Sequence, residues 1–151
     1  MIRKAVGAIM YDNKDRYLLV HKVKVMDGKE TKMELDSWDF VKGGVQVGED
    51  ALDTVKREIW EETGCTIYEL EKEFQEKLCF EFEKEIAYKI GYSSQETVMF
   101  LIRYLGDIKE LICVDDEIDS IIFCEKEEVL DKLTNIETKN FWIKYLQGTL
   151  I

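Results

Sequence analysis

Apolar positions along the first forty residues come in short blocks separated by polar breaks. Residues 4–11 and 16–23 flank Asp12-Asn13-Lys14-Asp15, the pattern of two strands joined by a tight turn. The polar stretch from Asp27 to Glu34, punctuated only by Gly28, reads as a loop. A short aromatic strand, Trp38 to Val41, then runs into Gly43-Gly44. From Glu49 to Thr63 the period becomes helical. Ala51, Leu52, Val55 and Ile59 fall on one side, and Gly64 sits where a left-handed stop belongs. Residues 77–90 and 97–105 read as longer strands, the first alternating in Phe80-Glu81-Phe82-Glu83, and 119–124 as another. Residues 126–133 and 137–146 read as helices. With no repeat or linker between them, these elements predict one domain over residues 1–151 of the α/β class, a mixed sheet with helices around it.

Composition narrows the classes. A chain of 151 residues that is 46% hydrophobic can bury its own core, which excludes general disorder. Its net charge of −11 argues against a protein that coats nucleic acid, which needs a basic face. Phosphate chemistry survives that argument, because bound divalent cations reverse the local sign of a site. No stretch approaches the ~20 apolar residues of a membrane span, so no membrane partner is expected. None of Cys65, Cys79, Cys113 and Cys124 forms a C-x-x-C pair. They read as small buried hydrophobes in a reducing, cytoplasmic compartment.

The stretch Gly43 to Cys65, GGVQVGEDALDTVKREIWEETGC, holds the candidate chemistry. Glu61 and Glu62 lie three and four residues after Glu58, so all three carboxylates share one arc of about 100° on a helix. Like charges in that register repel, and near the helix C-terminus the dipole disfavours them further. A solvated acidic face accounts for such a cluster alone. A divalent cation accounts for it together with the two glycines, which let backbone approach a ligand closely. Arg57 offsets part of the repulsion through Glu61 at i+4.

Gly43, Glu49, Arg57, Glu58, Ile59, Glu61, Glu62 and Gly64 match the 23-residue box Gly-x5-Glu-x7-Arg-Glu-U-x-Glu-Glu-x-Gly-U, where U is bulky and apolar, with Cys65 in the terminal apolar place. The chain therefore resembles the Nudix hydrolases. It departs from many of them in carrying Val41-Lys42 where a proline precedes the glycines. The resemblance implies an α/β/α sandwich with a mixed sheet, in which the box forms loop–helix–loop. It also implies hydrolysis of a nucleoside diphosphate linked to another moiety, with Mg²⁺ or Mn²⁺. By position, Glu58, Glu61 and Glu62 would hold the cations, joined by the Gly43 carbonyl. Arg57 would orient the glutamates, Glu49 would brace the loop–helix junction, and Glu58 or Glu61 would take a proton from the attacking water.

Downstream, Gln95 before an apolar strand and Glu117-Ile118-Asp119 resemble the subgroup of dinucleoside tetraphosphate hydrolases and RNA 5′-end pyrophosphohydrolases. That likeness implies a substrate contact at Gln95 and a further metal ligand or base at Glu117, with a strand-edge amide and an ordinary acidic turn as the alternatives. Lys42 is either a solvated lysine or a phosphate contact, Gly44 is a candidate substrate contact, and Trp38 is either core or a platform for a nucleobase. His21, the only histidine, is read as structural. The expected partner is a small nucleotide, best a dinucleoside polyphosphate. An RNA 5′ end, a nucleoside triphosphate or a non-catalytic nucleotide-sensing role are the alternatives, and a homodimer is left open.

Overall fold

The computed structural model describes residues 1–27 and 29–149. The chain runs β1 (Ile2–Tyr11), β2 (Arg16–Asp27), β3 (Glu30–Asp39), β4 (Val41–Gly44), α1 (Ala51–Thr63), β5 (Tyr68–Glu73), β6 (Leu78–Glu81), α2 (Lys84–Ile90), β7 (Ser94–Tyr104), β8 (Ile118–Glu125), α3 (Val129–Lys132) and α4 (Ile136–Tyr145).

β1 and β7 pair in parallel from Ile2↔Ser94 to Tyr11↔Arg103, and every other pairing is antiparallel. β4 lies on the other edge of β1, β5 and β6 lie on the other edge of β7, and β2 joins β3 to β8. β1 meets β2 only at Tyr11↔Tyr17, so the sheet opens into a mixed half and an antiparallel half. Ala5 to Met10 of β1 are all buried, as expected for a parallel strand covered on both faces. Val6, Ala8, Met10, Leu18 and Val20 pack with Val55 and Ile59 of α1. Ile9, Tyr17 and Leu19 face the other way, onto Phe141 and Trp142 of α4. Two helical layers thus sandwich a mixed sheet, the α/β/α arrangement that the resemblance implied.

α1 starts and stops for local reasons. The Asp50 side chain accepts from Asp53 N at 2.7 Å while Asp53 reaches back to Asp50 N, and Gly64 ends the helix at φ 70°.

Three expectations are corrected. The segment from Asp27 to Glu34 is mostly strand, because β2 reaches Asp27 and β3 starts at Glu30; Gly28 lies outside the described residues. Lys24↔Glu34 and Val25↔Met33 pair across a polar ribbon whose side chains leave no alternation to read. The expected strand 77–90 stops at Glu81, and Lys84–Ile90 is a helix ended by Gly91 at φ 82°. Ile86 and Ile90, four residues apart, carry the helical period there. β5 has no counterpart in the sequence reading, since five of its six residues are exposed on a sheet edge. The cysteines also divide: Cys65 and Cys124 are buried, Cys79 and Cys113 are exposed, and all four are free thiols.

Candidate functional site

α1 carries its acidic arc against β4. Glu58 and Glu62 are buried, and Glu61 is half-exposed. A Cβ on Gly43 would lie 1.9–2.3 Å from the Glu58 carboxylate, so only glycine lets that carboxylate reach the strand. Carbonyls alternate sides along a strand. Those of Lys42 and Gly44 face the α1 side, where they accept from Lys22 Nζ at 2.8 Å and Arg57 Nη2 at 2.9 Å. Gly43 is in register with Val6 of β1, so its carbonyl is directed toward that strand. Gly43 therefore contributes space, and its neighbours contribute the oxygens that face the glutamates.

Arg57 is fully occupied. It donates to Glu49 from Nε and Nη2 at 2.7 and 3.0 Å, and Nη1 reaches Glu58 at 2.7 Å and Glu61 at 3.0 Å. Glu49 also accepts from Gln46 N and Thr54 Oγ1, both at 3.0 Å. The Arg57 hydrogen bonds hold the Glu49 carboxyl down at about 2. This is the junction brace expected of Glu49.

Glu62 is in a different position. Its carboxylate is 1% exposed, Lys22 Nζ lies 3.6 Å from Oε2, and among the described residues Oε1 meets no donor. Burial raises its pKa well above the ordinary carboxyl range, Lys22 opposes that rise, and Glu58 reinforces it. Burial raises Glu58 as well, against the pull of Arg57.

A cavity of about 410 Å³ opens beside these groups, lined by Met26, Glu61, Val114, Asp115, Asp116 and Glu117. Glu117 accepts from Met26 N at 2.8 Å, and burial raises its pKa. The structure thus joins Glu61 and Glu117, far apart in sequence, on one wall. Gln95 is buried on β7 and is not among the residues that line that cavity. It accepts from Arg3 Nη1 at 2.7 Å and donates to Thr97 Oγ1 at 3.0 Å, while the Arg3 guanidinium packs where a Cβ of Gly44 would be. Gln95 thus holds Arg3 beside Gly44.

Two candidates lie on the opposite face. The Lys42 ammonium donates to Thr138 Oγ1 of α4 at 2.7 Å and pairs with Asp39 at 3.0 Å, and burial lowers its pKa. Trp38 packs against the α4-side core, 4.8 Å from the His21 ring, with Lys132 over its face. His21 sits 2.7 Å from both Asp36 and Asp119, whose hydrogen bonds raise its pKa.

The sequence reading missed Lys22, Arg3 and Asp39. A signal for Lys22 exists, because strand alternation from Leu18 and Val20 puts it on the α1 face.

Whether these residues suit a divalent cation can be judged from the donors. Glu58, Glu62 and the Lys42 carbonyl are hard oxygens, and one buried carboxylate oxygen has no partner. Among the described residues, no three acidic, histidine or cysteine side chains converge into a ready-made cage. Mg²⁺ does not ask for one, since it keeps waters and shares substrate phosphates. The residues fit.

A profile of the NUDIX domain matches residues 1–143. The chain belongs to the Nudix family. Nudix proteins generally use divalent metal cations. The chain is 28% identical over 114 residues to an RNA pyrophosphohydrolase of Bartonella bacilliformis, covering 73% of this chain and 66% of that one. It is 34% identical over 113 residues to an RNA pyrophosphohydrolase of Pelagibacter ubique, again with 73% and 66% covered. The chain thus spans slightly less than two thirds of the length of these curated relatives. In fold it is similar to the MutT protein from Methanosarcina mazei Go1, with TM-score 0.76, 18% identity, and 99% and 96% of the two chains covered. Among the described residues, no helix is long and apolar enough to cross a membrane.

Proposed function

We propose that this Nudix chain hydrolyses a phosphoanhydride bond in a nucleoside diphosphate linked to another moiety, with Mg²⁺ or Mn²⁺. The observation that carries the reading is the buried Glu62 oxygen without a donor beside a glycine that admits Glu58. A purely structural helix has no use for that pair. Glu58, Glu61, Glu62 and Glu117 would hold the cations, with the Lys42 carbonyl as the backbone oxygen on their side. When bound, a divalent cation supplies charge neutralisation on the phosphates and a lowered pKa for water.

The chain's own groups do the rest. Arg57 fixes the Glu58 and Glu61 carboxylates through Nη1, so they do not splay apart. Glu61 lines the cavity and accepts the proton of the attacking water. The water oxygen joins one phosphate product, a P–O bond of the anhydride breaks, and the other phosphate leaves. Arg3, held by Gln95 beside Gly44, faces the same site as a contact for a phosphate oxygen.

The substrate is best read as a dinucleoside polyphosphate. The acidic wall of Glu61, Asp115, Asp116 and Glu117 suits a short nucleotide that arrives with its cations. An RNA 5′ end is the second reading, favoured by the relatives named RNA pyrophosphohydrolase. A panel of diadenosine tetraphosphate, triphosphorylated RNA, nucleoside triphosphates and ADP-ribose with Mg²⁺ and Mn²⁺ tests both. Asymmetric cleavage of diadenosine tetraphosphate with the highest kcat/KM is expected. RNA in first place selects the second reading, and turnover unchanged by excess EDTA overturns the cation chemistry.

A further inference from the structure

The Lys22 ammonium sits among oxygens. It donates to the Lys42 carbonyl at 2.8 Å and lies 3.6 Å from Glu62 Oε2, and the charges of Asp39, Glu58 and Glu117 also act on it. Lys22 is thus a monovalent cation, covalently attached to β2, among the hard donors that a divalent ion would need. Without it, Glu58 and Glu62 would act on each other with Arg57 bonded to Glu58 alone of the two, since among the described residues Arg57 has no contact to Glu62, and Arg3 offsets only Glu117. A divalent cation on the Lys42 carbonyl and the Glu62 carboxylate would meet the Lys22 charge at close range, so the two compete for the same oxygens.

We propose that Lys22 is a tethered counterion and positioning residue: its ammonium holds Glu62 and the Lys42 carbonyl in place in the metal-free protein and is displaced when the divalent cation binds. This rests on the cation-dependent reading above. Its four-carbon stem gives the ammonium room to move while β2 stays paired to β3 and β8. Lys42 provides the contrast. Its ammonium has a side-chain oxygen on each of two sides, from Asp39 and Thr138, and no reason to move when a cation arrives.

Mutually exclusive binding has a measurable sign, since coupling between sites is reciprocal. Removing Lys22 should destabilise the metal-free protein yet tighten the divalent cation. Mn²⁺ alone, without nucleotide, is titrated calorimetrically at pH 8.5 into the wild type, Lys22→Met and Lys22→Arg, with melting curves in EDTA alongside. Lys22→Met should melt lower in EDTA but bind Mn²⁺ about tenfold more tightly, within the usual range for coupled sites. Lys22→Arg should bring the affinity back toward wild type. Equal or weaker Mn²⁺ binding by Lys22→Met overturns the displacement. A second measurement needs no variant: in the wild type, saturating Mg²⁺ should shift the Lys22 ammonium ¹⁵N resonance and leave that of Lys42 in place. An unmoved Lys22 resonance also overturns the proposal. A wild type that binds no Mn²⁺ overturns the cation-dependent function, and this role with it. A wild type that binds Mn²⁺ with Lys22 undisturbed leaves the function standing and removes the role alone.

Discussion

Lys22 of β2 and Lys42 of β4 point to opposite faces of the sheet, and their surroundings divide the molecule in two. On the α4 face, Lys42 meets Asp39 and Thr138, and nearby His21 is held between two aspartates. On the α1 face, among the described residues, Lys22 has a backbone carbonyl within hydrogen-bonding distance and a carboxylate at 3.6 Å, and that carboxylate keeps one oxygen unpartnered. Burial penalises charge on both faces. Where a buried charge meets a set of both a counter-charge and a hydroxyl, as Lys42 does, it serves the fold, even though the indole Nε1 of Trp142 on that face has no partner among the described residues. Where the set is incomplete, it is open to a ligand.

The largest expected effect lies on the complete face. Lys42→Met leaves Asp39 and Thr138 without their cation beneath α4 and should cost about 3–5 kcal/mol of stability, as when one partner of a buried pair is removed. Chemical denaturation measures it. A loss below about 1 kcal/mol would show that Lys42 is no more committed to the fold than an exposed lysine.

On the incomplete face the effect should be on turnover. Glu62→Gln keeps the side-chain volume and removes the charge of a proposed ligand. At fixed Mn²⁺, kcat/KM should fall about 10²-fold or more, roughly 2.7 kcal/mol of transition-state stabilisation. The loss should be partly recovered by raising Mn²⁺. Near-wild-type turnover would move the α1 face into the same structural class as the α4 face.

Titration gives a sharper form of the contrast. Burial raises the Glu62 pKa above its unfolded value, so its contribution to stability is fully present below the ordinary carboxyl range. That contribution is lost as pH rises through the raised value, because the folded state must then hold a buried charge. In EDTA, the melting temperature of Glu62→Gln minus that of wild type should therefore climb as pH goes from 4.5 upward. With Mn²⁺ present the trend should reverse, since the ionised carboxylate is the ligand. A flat difference in EDTA would show that Glu62 titrates as if exposed.

What could be read in advance follows the same division. The box residues lie within one turn–helix segment, where spacing alone puts Glu58, Glu61 and Glu62 on one arc and Arg57 within reach of Glu61. Asp50 and Gly64 mark the ends of that helix by local chemistry. The contacts of Lys42 and Trp38 were not legible, because adjacency to Gly43 does not reveal which face a strand residue takes. Lys22 is 40 positions from Glu62, and only the closing of β2 over α1 brings them to 3.6 Å. β5 and the polar ends of β2 and β3 escaped for another reason: an exposed edge leaves no apolar alternation to follow.

The smallest effect should come from Glu49→Gln. Glu49 belongs to the box yet touches neither Glu62 nor the cavity; its partners are Arg57, Thr54 and the Gln46 amide. Glutamine retains one acceptor oxygen for Arg57, and Arg57 keeps Glu58, Glu61 and the Gly44 carbonyl. The charge lost is at a half-buried position, where solvent and salt screen part of it. Activity should therefore fall by less than about tenfold, and added salt should shrink the difference from wild type. The acid side of the stability profile should change as well. The Glu49 carboxyl is held at about 2 in the folded state, so its contribution is present above the ordinary carboxyl range and lost as pH falls toward 2, a loss absent from the variant. Turnover as low as that of Glu62→Gln would mean that Arg57 cannot hold Glu58 and Glu61 without Glu49, and the brace would then belong to the catalytic machinery.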